Sequence, residues 1–211
     1  MTTLQLNPVS PAHAVLYRFL TEGFCLPDAN RLEYLADRMS ILQAACEELM
    51  ETEHGPESAP DIPALERAIA DARSNALGEL QAEYTRLFVA GMPNTPARLV
   101  EAVQREGVLV GEATEDVASM YLRFGLAVQD RETDHLTAEL EFLTYLAGTP
   151  VAEGLESARY SRARLKFVRE HLSQWTPKLA FKIRNATKVP LYLALADLLE
   201  WVVDAEIPLK G

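Results

Sequence analysis

An all-α fold is predicted by three features of the sequence. Apolar residues recur at three- and four-residue spacing along most of the chain. Ala, Leu, Glu and Arg dominate, and no segment shows the two-residue alternation of a half-buried strand. Gly and Pro clusters cut the helical pattern into pieces, and 211 residues suffice for one domain or two small lobes.

Each element has its own punctuation. Ser10-Pro11 sets a capping residue before a proline at the first helical position, so a helix is expected to about Phe24, with Ala12, Val15, Leu16, Phe19 and Leu20 on its apolar face. Pro27-Asp28 opens a second helix to about Glu53, and His54 to Pro60 form a loop. From Asp61 or Ile62, with Pro63, a long helical stretch is predicted to about Phe88, closed by Gly91 to Pro96. A short helix is expected around 97–105. Thr114 with Glu115 and Asp116 brings capping and dipole-favourable chemistry to the next, which ends at Gly125. Val128 to Thr133 is a polar connector. The helix that follows stops at Gly148-Thr149-Pro150. Three more are predicted at about 151–172, 174–186 and 190–206, the last burying Leu191, Leu195, Leu198, Leu199 and Val202.

Composition excludes several functions. A net charge of −11 argues against general nucleic-acid binding and suits a partner with a basic segment. Between Arg159 and Lys188 stand nine basic residues and one acid, Glu170. They form either solvated helix faces or a contact for an anionic ligand or acidic partner surface. Met1 to Pro8 carry neither a basic nor an apolar signal region, and no apolar run approaches the roughly 18 residues of a membrane span. Cys25 and Cys46 make no CxxC motif. A cytoplasmic protein without membrane insertion is expected.

Motifs for catalysis are lacking: there is no G-x-S-x-G, P-loop or G-x-G-x-x-G. Glu-x-x-His occurs twice, at Glu51…His54 and Glu132…His135, the pattern of a di-metal helical enzyme. Such a site needs both motifs inside long facing helices. His54 abuts a loop and Glu132 lies in the connector, so no catalytic or metal residue is assigned. His13 and His171 have no partner pattern and are expected at the surface or between helices. Trp175 and Trp201 are expected in packing.

The most informative stretch is Asp134-His135-Leu136-Thr137-Ala138-Glu139-Leu140-Glu141-Phe142. On a helix, His135, Glu139, Phe142 and Leu146 share a face beside the stripe Leu136, Leu140, Leu143 and Ala147. Polar groups are therefore expected on the rim of a hydrophobic seam. Alone, this chemistry also fits a surface pair with Asp134 as a capping acid.

The segment resembles the Asp-His-Leu…Glu-Leu-Glu-Phe signature of the TorD/DmsD/NarJ family of molybdoenzyme maturation chaperones. Glu83-Tyr84-Thr85-Arg86-Leu87-Phe88 is similar to that family's Tyr-x-x-Leu-Phe helix end. Glu101 stands where the family has a Glu, followed by Gly107-Val108-Leu109, and Val117…Tyr121…Gly125-Leu126 matches a further run. Thr133 replaces a Pro frequent before Asp-His, and Val100 and Ala102 replace an aromatic and a Ser, which leaves the subfamily open.

The resemblance implies a TorD-like bundle of about nine to ten helices in two lobes. The N-terminal lobe would be 1–127, the hinge connector 128–133 and the C-terminal lobe 134–211, as a monomer or a lobe-swapped dimer. It implies a non-enzymatic, system-specific chaperone that binds the apo catalytic subunit of a molybdopterin oxidoreductase through a twin-arginine leader and assists cofactor insertion before export. Asp134, Glu139, Glu141 and Glu101 would accept guanidinium hydrogen bonds, His135 would hold Asp134 or the peptide backbone, and Tyr84, Phe88, Tyr121 and Phe142 would line the groove. No resident cofactor is implied, and the resemblance adds only transient contact with the molybdenum cofactor or a guanine nucleotide. A general helical peptide-binding adaptor is the alternative reading.

Overall fold

The computed structural model describes residues 6–52, 56–129, 131–152 and 154–207. It is a bundle of α-helices with one short two-stranded tie, in agreement with the predicted class. Helix α1 (Pro11–Gly23) starts with Pro11 in its first turn and lies at the centre, with Leu16, Tyr17, Phe19 and Leu20 excluded from solvent. Each such apolar side chain contributes about 1.5–3 kcal/mol on burial.

The single second helix expected to Glu53 is two: α2 (Ala29–Asp37) and α3 (Met39–Met50), broken at Arg38 (φ −100°, ψ 0°). Asp28 caps α2 by accepting from the Arg31 N–H at 2.8 Å. The long stretch to Phe88 is likewise divided. Asp61 caps α4 (Ile62–Ser74), Asn75 is extended, and α5 (Leu77–Tyr84) runs into a π-helical turn, Thr85–Val89.

Helix α6 is only Glu101–Arg105. Residues ahead of it are extended because 134–136 take their backbone groups: Glu101 N–H donates to Asp134 C=O at 3.0 Å and Leu136 N–H to Leu99 C=O at 2.8 Å. Helix α7 (Glu112–Leu122) begins two residues before Thr114, its first amides held by the Glu106 carboxylate at 3.0 and 2.9 Å. It closes as expected at Gly125. Leu126 N–H reaches Tyr121 C=O, Gly125 N–H reaches Leu122 C=O, and Gly125 takes φ +70°, a Schellman ending that needs no Cβ.

Helix α8 (Leu136–Gly148) packs most extensively on α1. Strand β1 (Leu6–Pro8) pairs antiparallel with β2 (Pro150–Ala152), Asn7 opposite Val151. These three-residue, proline-bearing strands leave no periodic trace in the sequence. Helix α9 (Leu155–Phe167) continues through a π-helical turn, Val168–Leu172, into α10 (Ser173–Ala186), where a break near 173 was expected. Helix α11 (Pro190–Glu206) has the predicted bounds. One hydrophobic cluster runs through residues of both expected lobes, from Leu16 and Leu20 to Leu143, Trp175 and Leu199.

Candidate functional site

The signature segment begins with a cap that serves another helix. Asp134 lies outside α8, whose N-cap is His135, and its Oδ2 accepts from the Ala102 N–H at 2.7 Å, closing the open end of α6. Asp134 is fully buried, and burial raises its pKa despite that bond. His135 Nδ1 accepts from the Thr137 N–H at 3.3 Å and lies 2.9 Å from Thr137 Oγ1. It does not bond Asp134, one of the two partners that the resemblance implied for it. Burial pushes its pKa down to about 4, so the ring is neutral at pH 7.

Behind Asp134 lies a buried polar cluster. Glu101 accepts from His171 Nδ1 at 3.0 Å and pairs with Arg105 at 2.5 Å. Burial alone would raise Glu101, but His171 and Arg105 hold it below the usual carboxylate range. Glu139 shows the opposite behaviour. Burial, then the charge of Glu101, push it well above that range. Trp175 Nε1 donates to Glu139 Oε2 at 3.3 Å. Asp134 Oδ1, Glu139 Oε1 and the Tyr121 hydroxyl have no hydrogen-bond partner among the described residues.

The expectation that Asp134, Glu101 and Glu139 rim an open groove is therefore corrected: all three have 0% exposure. The physical reason is that α8 is enclosed on nearly every side, with Leu136, Thr137, Ala138, Leu140, Phe142 and Leu143 buried together with Glu139. The argument from an amphipathic stripe assumed a helix with one face in water.

An open groove does exist, beside the cluster. The connector after Gly125 forms one wall at Leu126 to Gln129. Tyr121 of α7 and Phe142 and Tyr145 of α8 form the floor, and Arg131 and Glu141 stand at the rim, around a volume of about 250 Å³. The floor is aromatic, with the rings of Tyr121 and Phe142 4.7 Å apart, and Phe142 packs in turn on the fully buried Phe167 at 5.1 Å. Of the sequence-predicted residues, Tyr121, Glu141 and Phe142 meet here. Tyr84 and Phe88 do not line it. Their rings pack 5.0 Å apart in the core, and the Tyr84 hydroxyl donates to the Phe24 C=O at 2.9 Å. Arg131, Thr137 and Tyr145 were not singled out as site residues, and His171 and Trp175 were expected only at the surface, between helices or in packing. His171 sits 70 positions from Glu101, a separation that no local pattern reveals.

A second buried network ties α1, α9 and α11. Glu206 accepts from Tyr17 and Arg164 and lies 3.2 Å from His13 Nε2. Burial and the Arg164 charge push His13 down to about 3. Much of the basic segment is engaged within the chain: Arg164 on Glu206, Arg184 on Asp197 and Glu200, and Lys178 and Lys182 on Gln104. His54 of the first Glu-x-x-His motif lies outside the described residues. No group of three or more His, Cys, Asp or Glu among the described residues is arranged to hold a metal ion, and no helix there is long and apolar enough to cross a membrane.

Comparison with known proteins places these features. The family model for the nitrate reductase delta subunit matches residues 51–180, a span that contains the cluster and the groove. A perchlorate reductase assembly chaperone protein from Dechloromonas aromatica (strain RCB) is 31% identical over 140 residues, 61% of this chain and 60% of that protein. The chaperone protein TorD of Shewanella piezotolerans (strain WP3 / JCM 13877) is 26% identical over 216 residues, 96% of this chain and 94% of its own length. A selenate reductase assembly chaperone protein from Thauera selenatis is 31% identical over 105 residues, 47% of this chain and 54% of that protein. The chain thus spans just over half the length of two of these relatives and nearly all of the third. A crystal structure described as a redox enzyme maturation protein from Archaeoglobus fulgidus superposes with a TM-score of 0.54 at 21% identity, covering 90% of this chain and 91% of that one.

Proposed function

The chain belongs to the nitrate reductase delta subunit family, and on that premise we propose that it is a cytoplasmic assembly chaperone that holds the apo catalytic subunit of a molybdopterin oxidoreductase until its cofactor is inserted. The contact is the client's twin-arginine leader. The groove between connector and α8 carries this reading. A guanidinium followed by an apolar stretch requires an accessible carboxylate next to an apolar floor. Glu141, with its side chain 42% exposed, stands beside Tyr121, Phe142 and Tyr145 in that arrangement. Guanidinium–carboxylate bonds are charge-assisted and directional, and aromatic side chains cover apolar surface efficiently. Binding of this kind requires no bond to be made or broken.

Asp134, Glu101 and Glu139 act in this reading from behind the groove: they hold α6 and α10 to the start of α8 and fix its rear wall. The net charge of −11 draws a basic segment toward the protein. The working unit is a monomer, or a dimer that exchanges the 134–211 lobe through the 128–133 connector.

The test is capture of partners by tagged protein from its native cells grown anaerobically, with bound proteins identified by mass spectrometry. A molybdopterin oxidoreductase catalytic subunit as the main partner supports the reading. A reproducible different partner, or none, overturns it.

A further inference from the structure

We propose that Arg131 is a built-in competitor for an arginine of the client: its guanidinium occupies the place at the groove that a client arginine takes, and binding displaces it. The inference rests on the chaperone reading and adds how the same site is regulated and which segment it selects. Arg131 reaches from the connector to α8, where Nη1 donates to Thr137 Oγ1 at 3.0 Å and Nη2 bonds the Glu141 carboxylate. The two acceptors are four residues apart on one helix face. They flank Ala138, and Glu141 adjoins Phe142, both in the groove. Helix α8 thus presents a hydroxyl and a carboxylate that together grip one guanidinium, beside an aromatic floor.

The signature histidine positions this grip. His135 Nδ1 accepts from the Thr137 N–H and lies 2.9 Å from Thr137 Oγ1, so with Nδ1 as acceptor the hydroxyl donates toward the ring and turns its lone pairs to the guanidinium. The side chains of Arg131 and Glu141 are 31% and 42% exposed. A pair so open to water holds its partners weakly. A segment that brings its own guanidinium together with an apolar side chain replaces the ion pair and gains burial as well. About 250 Å³ admits one or two apolar side chains. The favoured segment therefore carries arginine two residues from a bulky apolar residue, on the same side of an extended chain.

The probe is a synthetic peptide with two adjacent arginines followed by leucines, and the same peptide with both arginines replaced by glutamine. Affinities are measured by fluorescence anisotropy for the wild type, Arg131→Gln, Arg131→Lys and Glu141→Gln. Arg131→Gln is expected to bind the arginine peptide up to about fivefold tighter than wild type, with no gain for the glutamine peptide. Arg131→Lys should fall between, because an ammonium lacks the fork that engages both acceptors. Glu141→Gln should bind the arginine peptide more weakly. Equal or weaker binding by Arg131→Gln, or no binding by either it or the wild type, overturns the inference. The same Arg131→Gln protein is used for capture from native cells. Capture of a reductase catalytic subunit without the peptide effect removes the competitor role alone, whereas no such capture by wild type or variant removes the chaperone reading beneath it.

Discussion

Replacing Glu139 with glutamine should stabilise the protein at neutral pH, although it removes a buried acid from the most polar part of the core. Glu139 is fully buried, accepts from Trp175 Nε1 and lies against Glu101, so its pKa is held up first by burial and then by that neighbour's charge. In the unfolded chain the same group titrates at about 4.3. Between that value and its raised native value the folded state holds one more proton than the unfolded state, so stability falls as pH rises, by up to about 1.4 kcal/mol per unit. Glutamine keeps the volume. It also keeps an oxygen to accept from Trp175 Nε1, so near pH 5 the variant should match wild type within about 1 kcal/mol. Above that, it should gain by up to about 1.4 kcal/mol per pH unit until the native group ionises. Glu101 has the opposite sign: its lowered pKa adds stability above the unfolded value that is lost as pH falls through the native value. That contribution is nearly constant above pH 5 in both proteins, so it does not alter the slope of their difference. Urea titrations followed by far-UV circular dichroism from pH 5 to 8 give the difference curve. Parallel curves, with a gap independent of pH, would show that the pKa of Glu139 is not raised in the native state and would overturn the prediction.

Asp134→Ala removes the cap of α6 and should lower stability by about 1–2 kcal/mol, with faster amide exchange at Ala102; Asp134→Asn, which keeps an acceptor, should lose less. Arg164→Met strands the buried Glu206 carboxylate and should lower stability by about 3–5 kcal/mol, while the double variant Arg164→Met, Glu206→Leu should recover part of the loss in the same denaturation assay. Gly125→Ala forces a Cβ into the left-handed region and should cost about 1–2 kcal/mol; a calorimetric melting temperature unchanged from wild type would contradict the Schellman ending.

Local signals in the sequence located the helices well where capping and proline chemistry mark an end, as at Pro11, Asp28, Asp61, Gly125 and Pro190. They failed where packing alone decides. Leu32, Leu35, Met39, Leu42, Cys46 and Leu49 keep helical phase straight through the break at Arg38, so no periodicity argument could find it. The signature segment was recognised, but its burial was not, because an acid on an apolar helix reads as a rim residue unless its partners are known. Those partners come from far along the chain: Ala102 for Asp134, His171 for Glu101, Trp175 for Glu139. Arg131 was part of a charged connector, and only the folded chain shows that it turns back onto Thr137 and Glu141.

The central position of α1 has a consequence for biosynthesis. Its largest interface is with α8 and the next is with α3, so the helix leaves the ribosome on the order of 100 residues before its chief partner, roughly ten seconds at ordinary elongation rates. Over that interval α1 has only the neighbouring α2 and α3 to settle against, and full closure waits on contacts between distant parts of the chain, the kind that slows folding. A nascent chain halted before α8 should therefore stay protease-sensitive across α1, with protection gained in one step once α8 has emerged.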